Sequence, residues 1–103
     1  MAEIEWTEEA KYWLQQIYDY IAQDNEEAAW HVILGIYDRV QVLGQFPESG
    51  HRYEKYPDKN VRMLLYGHYR IAYLLRDENT IHILGVLHGA LNIEEHLKRT
   101  LKA

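Results

Sequence analysis

Val61-Arg62-Met63-Leu64-Leu65-Tyr66-Gly67-His68-Tyr69-Arg70-Ile71-Ala72-Tyr73-Leu74-Leu75-Arg76-Asp77-Glu78-Asn79-Thr80-Ile81-His82-Ile83-Leu84-Gly85-Val86-Leu87-His88 contains three apolar runs of strand length divided by two short turns. Gly67 supplies the positive φ that the first central position of a type II′ turn requires. Asp77-Glu78-Asn79 is a second, polar turn, so the stretch predicts a three-stranded antiparallel meander. Side chains alternate along a strand, and pairing Tyr66 with Tyr69 therefore sorts the residues into two faces. Arg62, Leu64, Tyr66, Tyr69, Ile71 and Tyr73 share one; Val61, Met63, Leu65, Arg70, Ala72 and Leu74 share the other. A two-residue loop at Glu78-Asn79 adds Leu84, Val86 and His88 to the first. The aliphatic face is expected to pack on helices and the aromatic, arginine-bearing face to stand partly open. A one-residue bulge at either turn would reverse part of this assignment. On this facing Arg62 reaches solvent or a target near Arg52 and Lys55. Arg70 points into the core, where a helix carboxylate such as Asp19 or Asp38 could pair with it.

The segments on either side complete an α+β domain. Ala2 to Trp6 alternates weakly and predicts a short strand. Thr7 is a good N-cap, and Ala10, Trp13, Leu14, Ile17, Tyr20 and Ile21 recur at helical spacing, which predicts a helix over 8–23. Asn25 caps a second helix with Ala29, Ile33, Ile36, Tyr37, Val40 and Leu43 on one side, antiparallel to the first because the connection is so short. That helix ends near Gln45, since the residue before Pro47 disfavours the helical conformation. Phe46-Pro47-Glu48-Ser49-Gly50-His51-Arg52 reads as a loop anchored to the core by Phe46. Beyond His88, Gly89 allows a change of direction and Asn92 caps a last helix over 93–102. The expected order is β-α-α-β-β-β-α: a meander and an N-terminal strand, an αα-hairpin on one face and a C-terminal helix.

Composition narrows the function classes. The 103 residues fit one domain with a core of its own. Without cysteine there is no disulfide, thiolate zinc site or cysteine nucleophile, which suits a reducing cytoplasm. The six histidines show no metal-ligand spacing and the glycines are too scattered for a phosphate loop, so neither metal nor cofactor is expected. No stretch is apolar enough for a membrane span, and the acidic N-terminus does not resemble a signal peptide. The net charge of −5 is unevenly spread: residues 1–43 carry two basic and nine acidic groups, whereas residues 44–76 carry six basic and three acidic. So acidic a domain disfavours general binding to nucleic acid, while a tyrosine- and arginine-bearing face suits docking on a protein.

Tyr69-Arg70-Ile71-Ala72-Tyr73 after a strand containing Arg62, preceded by Phe46-Pro47-Glu48-Ser49-Gly50, resembles the RelE/ParE superfamily of type II toxins. Val86-Leu87-His88-Gly89-Ala90 at the end of the last strand resembles its ParE-like branch, and the likeness extends over nearly the whole chain. The resemblance implies a bacterial cytoplasmic toxin of the growth-inhibiting, plasmid-stabilising kind, neutralised by a cognate antitoxin that also supplies any contact with operator DNA. For a ParE-like toxin it implies inhibition of DNA gyrase by protein binding, for which the face expected to stand open offers Arg52, Lys55, Arg62, Tyr66 and Tyr69 as the target-binding set. For a RelE-like toxin it implies cleavage of mRNA on the ribosome, with Arg70 and His88 as the catalytic residues. Gly89 stands where such nucleases carry a tyrosine, and Leu91 stands where the ParE-like pattern commonly has arginine. The acidic balance disfavours the ribosome, and the gyrase reading leads. A member retained only as an antitoxin-binding partner is a third alternative.

Overall fold

Two side-chain caps set the helical half of the molecule. Thr7 Oγ1 accepts from the Ala10 amide at 3.1 Å and donates to the Ile83 carbonyl at 2.7 Å. Helix α1 (Glu8–Ala22) therefore starts where strand β1 (Glu3–Trp6) already lies on the sheet. Asn25 Oδ1 accepts from the Ala28 amide at 3.0 Å and opens α2 (Glu26–Gln41). Both first turns carry paired glutamates, which the positive end of the helix dipole favours. A 3₁₀ turn over Val42–Gly44 continues α2 before Phe46-Pro47 ends it. The computed structural model describes residues 1–88 together with Leu97, Lys98 and Leu101. The helix expected over 93–102 thus lies outside the described residues, apart from those three.

Strands β2 (His51–Arg52), β3 (Val61–Tyr66), β4 (Tyr69–Asp77) and β5 (Thr80–His88) join β1 in one sheet of order β1-β5-β4-β3-β2. The meander is antiparallel with Tyr66 opposite Tyr69, as the sequence predicts. Gly67 has φ +58°, and no non-glycine among the described residues has a positive φ, the pattern a type II′ turn demands. β1 lies parallel to β5, with Glu3 opposite Thr80. His51-Arg52, expected within a loop, instead forms a short edge strand on β3, and the Tyr53 amide extends that pairing to the Val61 carbonyl at 2.8 Å.

The facing is the reverse of the one expected. Leu64, Ile71 and Tyr73, with Tyr66 and Tyr69 beside them, pack against Ala10, Ile36, Val40 and Leu43, so the aromatic face lies under the helical hairpin. Val61, Met63, Ala72 and Leu84 form a second cluster on the opposite face, covered by Leu97 and flanked by Tyr53, Tyr56 and Leu101. Burial on both sides explains the reversal: each face carries enough apolar surface to serve as a core face, so alternation alone could not rank them. Arg70 is consequently exposed rather than buried with a carboxylate, while Arg62 lies on the helix side.

A break in the β4–β5 ladder adds a further correction. Ala72 stands opposite Gly85 but Tyr73 stands opposite Ile83, so Leu84 is an extra residue that switches sides. Val86 joins the aromatic face as expected, whereas Leu84 moves to the second cluster and Ile81 and Ile83 take the helix side. A second shift between Leu75 and Asp77 leaves Arg76 without an opposite number. Gly35 has a packing role: a Cβ there would overlap the Tyr66 hydroxyl, so glycine lets that ring lie against α2.

Candidate functional site

The loop between the 3₁₀ turn and β2 is fastened from below by two side chains of the sheet. Tyr73, fully buried, donates its hydroxyl hydrogen to the Pro47 carbonyl at 2.7 Å and accepts from the Gly50 amide at 2.9 Å. Burial raises the Tyr73 pKa, opposed by the Gly50 hydrogen bond and the nearby Arg62 charge. Arg62 donates from Nη1 to the Glu48 carbonyl at 3.2 Å and the Gly50 carbonyl at 2.9 Å, and from Nε to Asn60 Oδ1 at 3.0 Å. Its guanidinium also stands 4.0 Å from the Glu48 carboxylate. Gly50 is needed because a Cβ there would meet the Met63 carbonyl oxygen at 2.7 Å. The loop expected to be anchored by Phe46 is thus anchored by Tyr73 and Arg62, and Phe46 itself is 62% exposed. Beside it opens a groove lined by Gln45, Phe46, Glu48, Leu75 and Glu78.

At the other end of the sheet, near Gly67, a second groove runs between α1 and the strands. It is lined by Trp13, Ile17, Tyr20, Tyr69, Val86 and His88 and is mainly apolar. The Tyr69 and His88 rings meet edge to face at 5.6 Å, and His68 lies 6.4 Å from His88. Burial, with a smaller contribution from Tyr20, raises the Tyr69 pKa and keeps the hydroxyl protonated at neutral pH.

The target-binding set expected from the sequence is dispersed. Arg52 and Lys55 are exposed, and Arg52 Nη2 donates to the Pro57 carbonyl at 3.2 Å. Arg62 holds the loop, Tyr66 is half-buried against α2 and Tyr69 lines the groove near Gly67. Arg70 and His88 come from adjacent strands but leave opposite faces: His88 pairs with Tyr69 on the helix side, while Arg70 pairs with Leu87. Both are exposed, Arg70 close to the exposed Leu65.

Sequence reasoning missed part of the exposed apolar surface. Tyr12, Tyr20, Trp30, Leu34 and Tyr37 are each at least half exposed on the helical hairpin. Helical spacing alone places Tyr20 and Tyr37 on the apolar stripes of their helices. The signal lay in Trp30 and Leu34, spaced i, i+4 on the side of α2 opposite Ile36, as a second apolar stripe. Between the two helices Tyr18 meets Trp30 edge to face at 5.0 Å. Among the described residues no group of three or more His, Asp or Glu is placed to hold a metal ion, and no helix is long and apolar enough to cross a membrane.

Comparison with known proteins follows this geometry closely. Residues 4–93 match a family model described as the ParE toxin of the type II toxin-antitoxin system parDE. No curated protein matches. Among solved structures, the chromosomal ParDE TA system from P. aeruginosa superposes with a TM-score of 0.69 at 26% identity, covering 85% of this chain and 96% of that one.

Proposed function

The chain belongs to the ParE toxin family of type II toxin-antitoxin systems, and from that premise we propose that it arrests bacterial growth by binding DNA gyrase in the cytoplasm. A cognate antitoxin, the companion that the ParDE match implies, holds it inactive and supplies the contacts with operator DNA. The reaction is one of association alone: the toxin traps its target through a protein interface and makes or breaks no bond.

The observation that favours association over RNA cleavage is the register of β4 and β5. A ribonuclease centre needs a cation on the phosphate and a proton-transfer group near the 2′-hydroxyl, both within hydrogen-bond reach of one scissile bond. Arg70 and His88 leave the sheet on opposite faces, an arrangement that favours separate contacts over a shared grip on one phosphate. The exposed aromatic side chains offer instead the kind of surface that protein interfaces use. Purified gyrase tests the proposal. Supercoiling should be inhibited by the chain and restored by the antitoxin, and induction in cells should give filaments and a DNA-damage response. Codon-phased mRNA cuts with undisturbed supercoiling would replace this reading with the ribosomal one.

A further inference from the structure

We propose that the loop of residues 46–50 is the surface with which the toxin grips its target, with Phe46 as the anchor. The inference rests on the growth-arrest reading above and adds to it the place of contact and the character of the partner. A phenylalanine left 62% exposed costs solubility and adds nothing to the core. Yet the loop that carries it is held by two side chains of the sheet. Tyr73 is committed to Pro47 and Gly50, and Arg62 to Glu48 and Gly50. The loop also closes on itself, for Ser49 Oγ donates to the Phe46 carbonyl at 2.6 Å and the Ser49 amide donates to the same oxygen at 3.1 Å. A side chain presented on a backbone already fixed in one conformation loses little entropy on binding, which is the property of an interface anchor.

The surroundings of Phe46 specify the partner. The groove beside it is floored by Leu75 and Pro47 and bordered by Glu48, whose side chain is 72% exposed, and by Glu78 in the β4–β5 turn. Its complement is a protein surface with an apolar pocket for one aromatic ring and cationic side chains around the rim. A nucleic acid is a poor fit, because its phosphates would meet carboxylates. Position separates this surface from the groove of Tyr20, Tyr69 and His88. The two lie at opposite ends of β4, whose nine residues span about 30 Å at strand rise.

Phe46→Ala and the charge reversal Glu78→Lys test the proposal beside Leu65→Ala, an exposed control on the other face. Each chain is purified with its antitoxin, separated from it and assayed for melting temperature, inhibition of gyrase supercoiling, growth arrest on induction and rebinding of the antitoxin. Phe46→Ala should melt as the wild type does and rebind the antitoxin. Its inhibitory concentration should rise at least about tenfold, as for an interface hot spot. The charge reversal should act in the same direction, and Leu65→Ala should inhibit fully. Full inhibition and growth arrest by Phe46→Ala, or loss of antitoxin binding alone, would overturn the inference while leaving the gyrase reading intact. If the wild type arrests growth without touching gyrase, the gyrase reading fails and the growth assay of Phe46→Ala still decides the loop. A wild-type chain that does not arrest growth overturns both.

Discussion

Arg62 and Arg70 sit on neighbouring strands of one hairpin, and their surroundings give them opposite roles. The Arg62 side chain is 15% exposed and donates to two backbone carbonyls and the Asn60 amide oxygen. Hydrogen bonds to a charged group contribute roughly 1.5–3 kcal/mol each at most, and water replaces part of that when the loop loosens. Arg62→Ala is therefore expected to cost about 2–3 kcal/mol in a denaturant titration. Arg70→Ala, removing an exposed side chain, should stay within about 0.5 kcal/mol of wild type. Strand parity taken alone gives the opposite order, so this pair of titrations tests the observed facing directly. Tyr73 makes a second test at the same scale. Tyr73→Phe strands the Gly50 amide and the Pro47 carbonyl, a loss of about 1–3 kcal/mol. The native pKa of Tyr73 is raised, so the folded state holds its proton where the unfolded chain would release it. Its contribution is complete below the unfolded value near pH 10 and is lost as pH climbs through the higher folded value. Melting temperature against pH should accordingly fall less steeply above about pH 10 in Tyr73→Phe than in wild type.

Among the elements, the two turns of the meander were legible because they depend on local chemistry. Gly67 marks the first by its conformational freedom, and the Asp77 side chain caps the second by accepting from the Asn79 amide at 2.8 Å. The caps at Thr7 and Asn25 were legible for the same reason. What the sequence concealed was the choice between faces. An open sheet betrays its outside by polar residues at every second position, but here Leu64 and Ile71 on one side are matched by Met63 and Ala72 on the other. The switch at Leu84 was hidden as well, since a bulge inside a continuous apolar run disturbs no pattern. The candidate site suffered from both effects. Arg62, Tyr66 and Tyr69 share a face, as the pairing of Tyr66 with Tyr69 predicts, but that face lies under the helices, and Phe46, expected to anchor the loop to the core, is exposed. The loop carries its own prediction. Gly50→Ala should be destabilised by about 1–3 kcal/mol, because the new methyl group meets the Met63 carbonyl and the Tyr73 ring, neither of which can retreat. Circular dichroism melts of this variant beside Tyr73→Phe would show comparable losses.

Taken whole, the molecule is polarised in charge and unusually aromatic at its surface. Acidic groups concentrate in the first 43 residues, and Tyr12, Tyr20, Trp30 and Leu34 stand exposed on the helical hairpin. A partner that covers such surface binds only the folded state and raises its stability by mass action. At an antitoxin concentration about a hundred times the dissociation constant, the gain is about 2.7 kcal/mol. Co-expression should therefore increase soluble yield, and titration with antitoxin should raise the melting temperature in a concentration-dependent way. No such gain would show that the exposed apolar surface is not the antitoxin's seat.

The pairing of β1 with β5 also governs when, during its synthesis, the protein can complete its sheet. Glu3 through Trp6 pairs as a strand with Thr80 to Ile83, some of the last described residues of the sheet to leave the ribosome. At roughly 5–20 residues per second, the αα-hairpin waits several seconds in the open before the strand that lines its inner face arrives. A nascent chain halted before Thr80 has cleared the exit tunnel should be cut readily by protease, and one halted well after His88 should resist. The sheet is thereby completed only once β5 has emerged, and a chain cut short before Thr80 lacks the partner that β1 requires.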